Sequence, residues 1–246
     1  MRENLLHRIK SFVINLPLLR WLRRGYPDEA RFIAQVDTFK RVLAGYEFSG
    51  RCLDAGCGEG LYKRFLESFM EITDIVNLDI NLCHIPRERE KYPRLSFVRA
   101  SLTHLPFADN TFNCCLCSEV LEHIGEDTVA ISELGRVINQ GGLLLISVPL
   151  PFAPRIPGHI RRGFSFERLS ALLTENGFVI RKHYYCFYIF MRVLINFWQW
   201  QFFVLGRSKR TYLPRFFILI LGYLDRHLRI GKAWGLVILA QRCLFE

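Results

Sequence analysis

An α/β fold, a doubly wound and mostly parallel seven-stranded sheet, is what the sequence predicts, with a hydrophobic helical insertion before the last strand and an N-terminal amphipathic helix. Three observations predict it. From Arg51 onward, short apolar runs alternate with helical stretches, the pattern of parallel strands joined by crossover helices. The first apolar run passes into an acid and a glycine-rich turn, Leu53-Asp54-Ala55-Gly56-Cys57-Gly58-Glu59-Gly60. The next ends in Asn77-Leu78-Asp79, placing a second acid at a strand terminus about 20 residues further on.

The chain has 246 residues, room for one α/β domain with embellishments. Its 50% hydrophobic and 23% charged content supports a packed core and excludes wholesale disorder. In order, residues 3–16 read as an amphipathic helix: Leu5, Leu6, Ile9, Phe12, Val13 and Leu16 share one face. Pro17 ends or kinks it, and a second helix is expected over Asp28–Ala44. Strands are expected at Arg51–Asp54, Ile75–Asp79, Leu95–Val98, Phe112–Cys117 and Leu143–Val148. Helices are expected at Tyr62–Met70, Asp127–Val137 and Ser165–Asn176. Gly177–Ile180 begins a further strand, and apolar Trp234–Ala240 is expected to close the sheet as a late edge strand.

Between these last strands Phe187–Leu205 holds only four polar side chains, Arg192, Asn196, Gln199 and Gln201, and is crowded with aromatics. A central Arg costs a spanning helix roughly 2.5–3.5 kcal/mol. The later apolar run Phe216–Leu224 is too short to cross a bilayer. The segment reads as a helical hairpin lying in or dipping into one leaflet, or as a lid or dimer surface. The expected division is therefore residues 1–47 for the N-terminal helices, 48–182 with 232–246 for the sheet domain, and 183–231 for the insertion.

Charge follows the same division. Residues 1–24 carry net +5 and residues 181–246 net +9, leaving −4 on the middle of a chain whose total is +10. Both basic flanks are apolar, which fits an anionic membrane surface better than nucleic acid. Eight cysteines follow no recognisable secretory signal, so reduced thiols in a cytoplasmic protein are expected. The Cys114-Cys115-x-Cys117 group lies inside a strand with no second Cys/His pair at zinc spacing, and no metal is expected.

Gly56 and Gly58 let backbone pass close under a ligand, whereas Asp54 repels phosphate and suits an amine. Asp79 stands where a ribose diol is held. With these residues the sequence resembles the class I S-adenosylmethionine-dependent methyltransferases, of the small-molecule and lipid-modifying, methyltransferase type 11-like branch, over roughly Arg51–Ile180. Trp234–Arg242 resembles the family's last strand. The resemblance implies a Rossmann-like fold and S-adenosylmethionine as cofactor. It implies that Asp54, Gly56, Cys57 and Gly58 hold the methionine moiety and Asp79 the ribose, with Ile80 beside the adenine. Ser101 and Leu102 would flank the adenine, although the family usually has Asp where Ser101 stands. Ser118, opening Ser118-Glu119-Val120-Leu121-Glu122-His123-Ile124, joins the cofactor set.

His159 is a candidate acceptor-positioning residue or base in a loop over the strand ends, and His123 a second. Arg161-Arg162 is a candidate contact for an anionic acceptor. Methyl transfer from a sulfonium needs alignment more than covalent help, so no further catalytic constellation is required. The expected function is methyl transfer to a lipid, quinone or lipid-linked saccharide, peripheral on the inner face of a membrane and without a nucleic-acid partner. The alternatives are a soluble small-molecule methyltransferase, or an inactive membrane-associated scaffold, which would not bind the cofactor.

Overall fold

The structure, a computed structural model, describes residues 27–58, 60–81, 95–154, 158–204 and 213–243. The amphipathic helix expected at residues 3–16 lies outside them. In order the elements are α1 (Pro27–Leu43), β1 (Gly50–Ala55), α2 (Lys63–Leu66), β2 (Ile72–Asp79), β3 (Leu95–Arg99), β4 (Phe112–Ser118), a 3-10 turn (Leu121–His123), α3 (Asp127–Val137) and β5 (Ile138–Pro149). Then follow α4 (Phe166–Glu175), β6 (Phe178–Cys186), α5 (Ile189–Val204), α6 (Arg215–Leu228) and β7 (Gly235–Arg242). The chain separates into two compact units, residues 36–186 with 233–246, and residues 1–35 with 187–232.

The larger unit holds one seven-stranded sheet in the order β3-β2-β1-β4-β5-β7-β6. Strands β1 to β5 run parallel, while β7 is antiparallel to both β5 and β6. The strand order reverses at β1, whose carboxyl end lies beside those of β2 and β4, the place where open α/β sheets bind ligands. The central strands are apolar on both faces, as strands covered by helices on either side must be: Leu53, Cys115, Leu116, Leu144 and Ile146 are fully buried.

Two elements differ from expectation. Strand β7 is interior and not the edge, because Leu236, Val237, Ile238, Leu239 and Ala240 are buried on both faces. The edge is β6, whose Arg181 and Lys182 carry the charge that keeps an open edge from pairing with another chain. The helix expected over Tyr62–Met70 shortens to the single turn α2. The Ser68 hydroxyl donates to the Phe65 carbonyl at 2.6 Å, and the backbone continues through i to i+3 bonds (Ser68 to Phe65, Phe69 to Leu66). Phe65 still packs as intended, 5.4 Å from Phe39 and 5.1 Å from Phe69 between ring centroids. The described cysteines are free thiols, all buried except half-buried Cys243. Burial pushes the Cys52, Cys57, Cys115 and Cys117 thiols up, so they stay protonated packing groups.

In the smaller unit α6 packs closely on the first turns of α1, where Gly222 faces Ala30 and a Cβ would meet its backbone. Arg215 donates to Glu29 at 2.9 Å. Helix α5 begins on a buried acid: the Asp225 carboxylate of α6 accepts the N–H groups of Tyr188, at 2.8 Å, and Met191, at 3.0 Å. These are orphan donors of a helix start, satisfied from a neighbouring helix in place of a local cap. Asp225→Ala should therefore destabilise this unit by about 2 kcal/mol or more, since it strands buried donors. Urea unfolding followed by circular dichroism checks this, and a loss within error of zero would remove Asp225 from that role.

Candidate active site

The site is built where β1 and β2 end. Leaving β1, the chain turns at Gly56, where φ is +81°, and the N–H groups of Gly56 and Cys57 both donate to the Leu78 carbonyl of β2, at 2.7 and 2.9 Å. A side chain at Gly56 would fail twice. Its φ lies in the left-handed region, and its Cβ would overlap Val120, which follows β4. The Gly58 N–H donates to Asp79 Oδ2 at 2.8 Å, and the Asn81 N–H donates to Asp79 Oδ1 at 2.8 Å. Asp79 is thus oriented by backbone on both oxygens while it stays partly exposed.

Asp54 closes the base of this turn at only 2% exposure. Its Oδ2 has no hydrogen-bond partner among the described residues. Burial first, and then the nearby Asp79 charge, push its carboxyl from the ordinary 3.8 up to about 7. A buried acid with an unsatisfied oxygen beside a second carboxylate is a place prepared for a cation. Cys57 is buried next to it, at 8% exposure.

The remaining predicted residues fall into two groups. Ile80 is 66% exposed just past β2, a large apolar side chain open to solvent. The Ala100 N–H donates to the Asp79 carbonyl at 3.2 Å, which draws the segment carrying Ser101 to the same edge. The Ser101 hydroxyl is engaged locally, 2.8 Å from Thr103 Oγ1 and accepting the Thr103 N–H at 3.2 Å, while Leu102 turns into the core. Ser118 is buried at the end of β4, with its hydroxyl 3.1 Å from Ser147 Oγ of β5.

His123 and His159 come together although 36 positions separate them, their rings edge to face at 4.7 Å. His159 is buried and His123 exposed. Arg161 and Arg162 part company. Arg161 is spent inside the protein, 2.6 Å from Asp127 and 2.8 Å from the carbonyls of Ile124 and Gly125, whereas Arg162 is exposed.

Three features were not singled out from the sequence. Glu119 adopts φ +58° immediately after β4, a strained backbone for a non-glycine residue, and accepts a hydrogen bond from Ser147 at 2.9 Å. Val120 covers Gly56. Glu122 is fully buried with Oε1 3.9 Å from His159 Nε2. Ligand atoms of Glu122, His123 and His159 all lie within 4.8 Å of one another, a grouping able to hold a metal ion where the sequence led us to expect none. The signal available was Glu119-Val120-Leu121-Glu122-His123, two acids and an imidazole packed between a strand and a turn.

Known proteins agree with this layout. Residues 53–146 match the family model described as a methyltransferase domain. A probable S-adenosylmethionine-dependent methyltransferase of Mycobacterium tuberculosis is 29% identical over 154 residues, 57% of this chain and 55% of that protein. A ubiquinone/menaquinone biosynthesis C-methyltransferase of Haemophilus ducreyi is 30% identical over 144 residues, 56% and 54% of the two chains. The chain thus spans about half the length of these relatives. Among solved structures, an S-adenosylmethionine dependent methyltransferase from Mesorhizobium loti superposes with a TM-score of 0.60 at 16% identity, covering 84% of this chain and 98% of that one. A [4+2]-cyclase superposes at 0.58 with 17% identity, covering 91% and 88%. These two establish the fold. With the sheet order, the glycine turn and the matched domain in place, residues 53–146 read as a methyltransferase domain, the chain is similar to the class I S-adenosylmethionine-dependent methyltransferases, and S-adenosylmethionine is the cofactor that this similarity implies.

Proposed function

We propose that this protein transfers a methyl group from S-adenosylmethionine to a lipid, quinone or lipid-linked saccharide acceptor while resting on a membrane surface. The buried, unpartnered Oδ2 of Asp54 carries the cofactor half of this reading. The residues fit the group. The turn Gly56-Cys57-Gly58 with Asp54 would hold the cationic methionine moiety, Asp79 the ribose hydroxyls, and exposed Ile80 a face of the adenine. The cofactor supplies an activated methyl on a positively charged sulfur. The protein's part is to hold the acceptor in line, exclude water and remove one proton. The paired imidazoles of His123 and His159 stand in segments that follow β4 and β5, on the edge where Asp54 and Asp79 lie.

The acceptor half rests on the exposed faces of α5 and α6. On α5 these are Ile189, Val193, Trp200 and Val204, between 43% and 61% exposed and interrupted by Asn196, with Phe203 beside them at 72%. On α6 they are Phe217, Ile220 and Leu228, with Tyr223 alongside. Apolar and aromatic residues outnumber charges on the sides of both helices that water would be expected to claim. No helix among the described residues is long and apolar enough to cross a membrane. At 16 residues α5 is about 24 Å long, short of a roughly 30 Å hydrocarbon core, so it would lie along a leaflet. The ubiquinone/menaquinone biosynthesis C-methyltransferase among the relatives supports the quinone branch of this reading. The soluble-acceptor alternative has its own support in a 26% identical malonyl-[acyl-carrier protein] O-methyltransferase. The cyclase neighbour shows that this fold also houses other chemistry, so cofactor binding is the first thing to establish.

Two outcomes are expected. Burial raises the Asp54 value in the folded chain above its unfolded 3.8, so the stability it contributes is present below about pH 4 and lost as pH rises through about 7. A bound ammonium reverses this by favouring the ionised form. Calorimetry should therefore find S-adenosylmethionine affinity rising with pH, by about tenfold from pH 6 to pH 8. Asp54→Asn should flatten that dependence, weaken binding at pH 8 and stabilise the ligand-free protein there. A flat wild-type profile would take Asp54 away from the amine.

Co-sedimentation with neutral and anionic vesicles tests the surface. Binding that persists at high salt and falls at least fivefold in a Val193→Ser, Trp200→Ser, Phe203→Ser variant is expected. No binding at any salt would move the acceptor into solution and make the apolar faces a lid or a contact between copies.

A further inference from the structure

We propose that Glu122, His123 and His159 form a binding site for a divalent transition-metal cation of the zinc type. Two imidazoles and one carboxylate are the donor set such an ion takes, leaving a coordination position open. One ligand atom from each residue lies within 4.8 Å of the other two. Ligands held at about 2.0–2.2 Å from one ion stand roughly 3.0–3.5 Å apart. The 3.9 Å between Glu122 Oε1 and His159 Nε2 is too long for a hydrogen bond and needs about 0.4–0.9 Å of closure to meet that spacing.

The tautomer of His123 is set for ligation. Its Nδ1 lies 2.9 Å from the Gly158 carbonyl, which can only accept, so Nδ1 donates this bond and in the neutral ring Nε2 is the nitrogen that would ligate. An imidazole anchored by a backbone carbonyl on one nitrogen and free to ligate with the other is the usual surrounding of a metal-bound histidine. The frame is also pre-built. The N–H groups of Ile160 and Arg161 donate to the Glu122 carbonyl at 2.9 and 3.4 Å, and Arg161 locks the same loop onto Ile124 and Gly125. Two segments far apart in sequence are thereby fixed with their donor groups converging. Glu122 is wholly buried, and a carboxylate so placed is favoured by a cation at ligating distance.

The site stands on its own geometry. The role it would have, holding an oxygen of the acceptor in the open position, rests on the methyl-transfer reading. The experiment separates the two. Tag-free protein stripped with a chelator is titrated with CoCl2, followed by visible absorption, and then with ZnCl2 as competitor. One equivalent of Co2+ should give a d–d spectrum without a thiolate charge-transfer band, and Zn2+ should displace it. His123→Ala, at an exposed position, should weaken uptake at least tenfold, as should His159→Gln, with thermal melts confirming that both variants are folded. Substoichiometric uptake by the wild type, a thiolate band, or undiminished uptake by a folded His123→Ala protein overturns the proposal. S-adenosylmethionine titrated into the same stripped protein reports the cofactor site separately, so loss of one reading leaves the other standing.

Discussion

Two backbone N–H groups converging on one carbonyl organise everything else at this site. Gly56 and Cys57 both donate to the Leu78 carbonyl, binding the turn that leaves β1 to the end of β2. That pairing holds Asp54 beneath the turn, out of water and near Asp79, and it is why Asp54 titrates far above an ordinary carboxylate. It also fixes Gly58, whose N–H orients Asp79 in return. The arrangement tolerates only glycine at position 56, because the same backbone path brings Val120 against its Cα. A buried acid kept short of one hydrogen bond is unfavourable in the ligand-free chain. A cation beside it would offset that cost, so the turn would favour a positively charged ligand.

The sheet was legible because its determinants are local. Apolar runs bounded by polar turns mark the central strands, and α3 was read to its last residue because Asp127 opens it and its buried positions recur at helical spacing. Strand order within the sheet was not local, and β7 illustrates the difference. Its run from Leu236 to Ala240 lacks charge on either face, the mark of an interior strand, while the cations of β6 mark the edge. That contrast was present in the sequence and is the physical rule by which the two could have been ordered. The shortened α2 had a weaker signal, a serine that takes the carbonyl three residues back in place of continuing the helix.

The glycine turn and the acid after it were equally readable, since each residue type serves a need of its own position. Contacts between distant segments were not. Nothing near His123 in the sequence announces Gly158 or His159, and nothing at Arg161 announces Asp127. The loop closes because the Glu122 carbonyl receives two N–H groups from it, a backbone fact without a side-chain signature. Glu119 is the same kind of case, a strained residue made tolerable by Ser147. Of the two arginines thought able to meet an anion, Arg161 is consumed by the fold and Arg162 alone is left exposed.

The apolar helices pose the sharper thermodynamic question. Covering one large apolar side chain is worth about 1.5–3 kcal/mol, so Trp200 and Phe203 on α5 and Phe217 and Tyr223 on α6 together forgo a substantial stabilisation while they face water. Single exposed hydrophobics are ordinary, whereas rows along a helix face mark something that covers them. A protein partner and a bilayer would each serve, but they differ in the charge they ask for beside the apolar rows. The basic excess of +9 over residues 181–246 sits in the stretch that includes these helices. A lipid surface rewards that combination through two additive terms, headgroup attraction that salt screens and apolar contact that it does not. A nucleic acid would reward the first and could stack on single aromatics, but it would leave the aliphatic members of the rows, such as Ile189, Val193 and Val204, uncovered. The proposed membrane site is therefore the one partner class for which both the composition and the exposure of these helices are favourable at once.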